Sequence, residues 1–237
     1  MNERELNRMI DEREGVLSLA FPSLMRKVYL WMTLALAVTG FTAYAVTNSF
    51  AFWNFIAEHS WLMFAFIIAE LGLVFTISGR INKLSLNTAT LLFGLYSVLN
   101  GLTLAPILMI YTHTSIAQVF FITAGTFAAM AFIGYTTKAN LSGLGRILFM
   151  SLIGLIIATV VNIFIKSSGF DLILSYAGVL IFVGLTAYDT QKIKMMLAQA
   201  DAPDENAHKI ALLGSLSLYL DFVNLFIYLL RLFGNRE

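Results

Sequence analysis

The chain's 237 residues are 59% hydrophobic and 12% charged, where soluble domains run about 45 to 50% and about 25%. Fourteen acids and fifteen bases are too few to cover a water-soluble fold of this size, so the apolar surplus must face lipid. A net charge of +1 argues against a nucleic-acid binder, and the absence of cysteine excludes a disulfide scaffold and any Cys-ligated zinc, haem or iron–sulfur site.

The first 27 residues mix Arg4, Arg8 and Arg13 with Glu3, Glu5, Asp11, Glu12 and Glu14. That pattern is not the basic leader of a signal peptide and reads as a retained cytoplasmic arm. Leu6, Met9, Ile10 and Leu17 share roughly one helical face, which suits a helix lying on the membrane surface or a solvated one.

Seven apolar runs then follow, each near the 20 or so residues that a helix needs to cross about 30 Å of hydrocarbon. They are Val28 to Asn48, Trp61 to Gly79, Thr88 to Tyr111, Ile116 to Tyr135, Ile147 to Ile165, Leu172 to Thr190 and Ile210 to Leu230. None has the two-residue alternation of an outer-membrane barrel. The fold expected is an all-α integral membrane protein: an arm over 1–27, a single seven-helix membrane domain over 28–232 and a short tail over 233–237. The polar stretch Asp201-Ala-Pro-Asp204-Glu205 lacks EF-hand spacing and reads as a solvated turn.

With the amino terminus inside, twelve of the fifteen Lys and Arg fall on the cytoplasmic side, as the positive-inside rule requires. Lys166, Arg231 and Arg236 fall opposite. The last two sit awkwardly there, and a re-entrant last segment, returning the tail to the cytoplasm, is the alternative.

Acids inside spans are costly unless paired, protonated or hydrated, and they default to functional sites. Three stand out: Glu70 in the second span, Asp189 near the cytoplasmic end of the sixth and Asp221 inside the seventh. A hydrogen-bonded structural acid is the alternative for each. Ser217, Asp221, Asn224 and Tyr228 are spaced by four, three and four, which puts them on one helical face. This polar stripe should point into the bundle or a water-filled path. The sixth span ends and the seventh begins at one edge, so Asp189 and Asp221 can approach each other. Two carboxylates in one low-dielectric site cannot both ionise cheaply, so such a pair should share a proton and respond to pH. Arg80 ends the second span at the same edge, either as a counter-ion to the pair or as a plain anchor. Glu70 lies about 15 Å deeper, where it would line a later part of the path.

Nothing resembles a hydrolytic site. His59, His113 and His208 read as loop residues on different sides and form no His-Glu-x-x-His pair. An intramembrane aspartyl protease would also pair Asp on neighbouring helices, but Asp189 lies in Tyr-Asp-Thr, without the Gly-Leu-Gly-Asp type of sequence expected there.

Three passages carry a resemblance to the Bax inhibitor-1 family in its compact bacterial form. They are Gly101-Leu-Thr-Leu-Ala-Pro-Ile107 with Tyr111 and Ser115-Ile-Ala-Gln-Val-Phe-Phe121, then Thr186-Ala-Tyr-Asp-Thr-Gln191, then Ser217-Leu-Tyr-Leu-Asp-Phe-Val-Asn-Leu-Phe226 with Leu230-Arg231. The resemblance spans roughly positions 20 to 234. It implies a seven-helix bundle with the last helix central, in a bacterial inner membrane. It further implies a pH-sensitive calcium leak, with Asp189 and Asp221 as sensor and tentative calcium ligands, and with Arg80 as the basic residue that engages them. Calcium and protons would be its ligands, with no bound cofactor and no enzymatic reaction. Some bacterial members resemble modulators of membrane proteases, so a non-conducting scaffold on such a partner is the rival reading.

Overall fold

Backbone N–H and C=O groups in hydrocarbon must find partners within the chain, and a helix satisfies them within one segment. The apolar runs are helices accordingly. The computed structural model describes residues 3–199 and 204–236, with side chains from residue 21 onward. Its helices are α1 (Glu3–Thr47), α2 (Phe50–Glu58), α3 (Trp61–Arg80), α4 (Leu86–Leu108), α5 (His113–Thr136), α6 (Ser142–Ile165), α7 (Ser168–Ala198) and α8 (Glu205–Phe233). Among the described residues there is no strand, only an isolated antiparallel bridge between Tyr111 and Arg236.

Seven of these helices are long and apolar enough to cross a membrane, all but the nine-residue α2. The chain is an all-α membrane bundle. Phe41, Phe64 and Phe75 are each 74% exposed and Phe164 81%, a surface suited to lipid. Burial is unequal. Two-thirds of the apolar stretch of α8 (67%) is buried, against 6% in α3 and α6, so α8 is the helix most enclosed by protein.

Three elements differ from the expectation. The connection expected between the first two spans holds α2, which Ser49 caps by accepting from the Phe52 amide at 3.3 Å. The helix α1 runs unbroken from Glu3 through Pro22 to Thr47, joining the backbone of the arm to the first span. The proposed apolar face of Leu6, Met9, Ile10 and Leu17 lies outside the described side chains, as does most of the 201–205 turn. Two histidines are helical rather than in loops: His113 opens α5, and His208 sits in the first turns of α8, where it receives a hydrogen bond from Lys27 Nζ at 3.0 Å.

The chain divides into two compact units, Met1–Ala105 with Ile193–Leu216, and Pro106–Lys192 with Ser217–Glu237. In the first unit, α1 and α4 are joined where Thr39 Oγ1 donates to the Ser97 carbonyl at 2.9 Å, and Glu205 at the start of α8 accepts from the Leu86 amide at 3.1 Å.

In the second unit, Phe222 and Phe226 on α8 meet Phe120 and Phe127 on α5 edge to face, with ring centroids 5.5 to 6.4 Å apart. Tyr228 stacks on Phe182 of α7 at 5.9 Å. The ends of this unit are well defined. Gln191 on α7 holds the α5–α6 connection, while Asp171, twenty residues earlier on the same helix, meets Arg231 near the end of α8 at 3.5 Å. Twenty residues of helix rise about 30 Å, one hydrocarbon thickness. The tail is fixed at the Asp171 end: the Asn235 amide donates to Ser115 Oγ at 2.8 Å, and the Thr112 amide to the Asn235 carbonyl at 3.1 Å. The last helix therefore ends, with the tail, at the Asp171 end of α7.

Candidate functional site

The polar stripe on α8 survives folding as a stripe. Asp221 is 4% exposed, and Ser217, Asn224 and Tyr228 along the same face are half-buried. Each has its own surroundings. Asn224 Nδ2 donates back to the Leu220 carbonyl of its own helix at 2.8 Å. Tyr228 is held between the Phe182 ring and the Arg231 guanidinium, 5.5 Å from its centroid.

The geometry brings Asp189 of α7 to Asp221. Asp189 is half-buried, its charge acts directly on Asp221, and Lys192, one turn further along α7, is the cation whose field reaches Asp189. Oδ2 of Asp221 is fully enclosed and has no hydrogen-bond partner among the described residues. A buried carboxylate oxygen without a donor costs on the order of 1–3 kcal/mol or more, and a proton or a cation would relieve it. Among the described residues no group of three or more His, Asp or Glu converges as a closed metal site.

Close backbone packing holds α7 in register beside the pair. A Cβ on Gly134 of α5 would collide with the Ala187 carbonyl, and one on Gly145 of α6 with the Tyr188 ring. Both glycines face the two residues that precede Asp189. Two residues beyond it, Gln191 Nε2 donates to the Ala139 carbonyl at 2.8 Å, and its Oε1 accepts from the Leu141 amide at 2.8 Å. Gln191 was absent from the candidate residues, although it closes the Tyr-Asp-Thr-Gln passage. Its role needs the position of the α5–α6 connection, which no local pattern gives.

The other two candidates belong to the first unit. Glu70 of α3 is half-buried; its Oε1 accepts from Thr103 Oγ1 at 2.7 Å, and its Oε2 from Asn100 Nδ2 at 3.4 Å. Its charge also reaches Tyr96. Tyr96, Asn100 and Thr103 are spaced by four and three on α4, a polar face that spacing alone could have disclosed. Arg80 is exposed in the last turn of α3, where a cation complements the helix dipole.

Comparison with known proteins agrees with this reading of the fold. The family model described as "Inhibitor of apoptosis-promoting Bax1" matches residues 22–237. The chain is 50% identical over 214 residues to "Inner membrane protein YbhL" of Escherichia coli (strain K12), covering 90% of this chain and 92% of that protein. An uncharacterized protein of Borreliella burgdorferi is 47% identical over 213 residues, 90% of this chain and 92% of its own. A membrane protein of Streptococcus pyogenes serotype M6 is 36% identical over 213 residues, 89% and 92% of the two chains. With seven membrane-length helices, a family match that begins at the first span, and such relatives along nine-tenths of its length, the chain belongs to the Bax inhibitor-1 family of integral membrane proteins.

Proposed function

We propose that the protein is a proton-gated calcium leak of the bacterial inner membrane, with the Asp189–Asp221 pair as its sensor and without enzymatic activity. The observation that carries this reading is the enclosed, unpartnered Oδ2 of Asp221 in the field of Asp189. With one proton between them, the carboxyl groups link α7 to α8 and the path is shut. When the proton leaves, two like charges stand in a low-dielectric site and repel. The helices part, and the freed oxygens, with the Asn224 carbonyl oxygen and water, make the kind of hard-oxygen surface that calcium takes. The amino terminus is placed in the cytoplasm by the distribution of Lys and Arg.

The sign of the pH response follows directly. Deprotonation opens the path, so calcium flux into proteoliposomes rises as pH is raised through the titration of the pair. In the Asp189→Asn, Asp221→Asn double variant nothing titrates, and flux should be flat with pH. Glu70→Gln, which keeps a side chain that Thr103 can still bond, is expected to reduce flux without moving the pH midpoint. No flux above empty liposomes from folded protein would overturn the leak and favour the scaffold that modulates a membrane protease. In that case pull-down from native membranes should recover the partner with the double variant as well.

A further inference from the structure

Positively charged residues are disfavoured on the side of a membrane opposite the chain's basic face. Only three of the fifteen bases take that position by the alternation of spans: Lys166, Arg231 and Arg236. They span Lys166 to Arg236 in sequence, yet all three line one open pocket of about 390 Å³ at the Asp171 end of the second unit. Ser167, Ser175 and a single acid, Asp171, complete the wall used here. Asp171 engages Arg231 at 3.5 Å. Lys166 and Arg236 are exposed, and the Arg236 guanidinium is propped on the Tyr111 ring, 5.8 Å from its centroid. Among the described residues, three cations against one acid leave the pocket with a formal surplus of two positive charges.

The backbone makes the same point independently. Lys166 ends α6 in the left-handed region, at φ 54°, and is the sole described non-glycine residue with positive φ. Glycine fits that cap without cost, whereas an L side chain costs on the order of 1 kcal/mol. The position carries a long cation instead, and that cation faces the pocket.

We propose that this pocket binds a phosphate group, with Lys166 and Arg236 as its free cations and Arg231 as a third, shared with Asp171. Guanidinium and ammonium groups supply charge-assisted hydrogen bonds to phosphate oxygens, and the hydroxyls of Ser167 and Ser175 can add neutral ones. The volume suits a headgroup or a free anion. Position at a membrane-facing end admits two sources of the same chemistry, the headgroup of an acidic phospholipid or inorganic phosphate. Asp171 lies about 27 Å along α7 from Asp189, and Arg231 about 15 Å along α8 from Asp221, so the proposal does not depend on calcium conduction.

The test uses the full chain, delipidated in neutral detergent. Binding is read by native mass spectrometry and by the shift in thermal unfolding, in one arm with phosphatidylglycerol and in the other with inorganic phosphate. The wild type should bind in at least one arm, and the arm with the tighter binding names the source. Lys166→Gln with Arg236→Gln should weaken that binding at least about tenfold. Arg146→Gln, an exposed base on α6 outside the pocket, should leave it unchanged. Asp171→Asn removes the competing acid and should tighten binding severalfold, a gain that loss of folding cannot mimic. No binding in either arm overturns the proposal, as does binding that neither the double variant nor Asp171→Asn alters. If the double variant does not fold, the Asp171→Asn result decides alone.

Discussion

Gly134 shows how little side chain the surroundings of Asp189 tolerate. Its missing Cβ is where the Ala187 carbonyl lies, two residues before Asp189, so Gly134→Ala must push α5 and α7 apart. Overpacking of this kind costs typically 1–3 kcal/mol. The same substitution at Gly125, on the same helix but with open space around it, should be neutral or stabilising by up to about 1 kcal/mol, because alanine is the better helix former. Thermal unfolding in detergent of the two variants checks this, and equal melting temperatures would mean that α5 and α7 are not tightly apposed. The close approach at Gly134 was not legible in the sequence, where sixteen glycines look alike until their neighbours are known. The three intramembrane acids were legible, because a carboxylate in an apolar run is an anomaly that needs no structure to see.

At the level of elements, hydropathy finds the lipid-facing part of each helix and stops there. The sixth span read as Leu172 to Thr190 is in fact α7, Ser168–Ala198, and the last, read as Ile210 to Leu230, is Glu205–Phe233. The missing turns mix Lys, Gln, Asn and Glu with apolar residues, Ile193 and Leu197 among them buried, so their mean hydropathy falls and no continuous apolar run marks them. The short α2 escaped for the opposite reason: nine residues are apolar enough but too few to span. The same limit hid Gln191, whose two hydrogen bonds fasten α7 to the α5–α6 connection. Gln191→Ala strands both the Leu141 amide and the Ala139 carbonyl, at a cost of roughly 1–3 kcal/mol. Hydrogen exchange at Leu141 should then quicken about tenfold or more, since 1.4 kcal/mol is tenfold in an equilibrium. Gln191→Glu keeps the acceptor and should protect Leu141 while losing the bond to Ala139. Unchanged exchange in the alanine variant would mean that the connection is held by other contacts.

For the whole molecule, the distribution of charge is the feature from which an orientation is expected. Counting alternate spans assigns twelve of the fifteen bases to one side and three to the other, a strong expected bias. What could not be read is that the three exceptions converge, because Lys166 and Arg236 meet only when α6, α7 and the tail end together. The bias predicts that Lys138, exposed in the α5–α6 connection, faces the cytoplasm, and that Asn235, exposed in the tail, faces the other compartment. The chain has no cysteine, so single Lys138→Cys and Asn235→Cys variants are read without background. A membrane-impermeant maleimide should label Asn235→Cys in spheroplasts and Lys138→Cys only in inverted vesicles. Labelling of both variants from one side would contradict the full traverse of α8. The reverse pattern would put twelve bases on the side where the rule allows fewest, and the orientation would then be set by something other than charge.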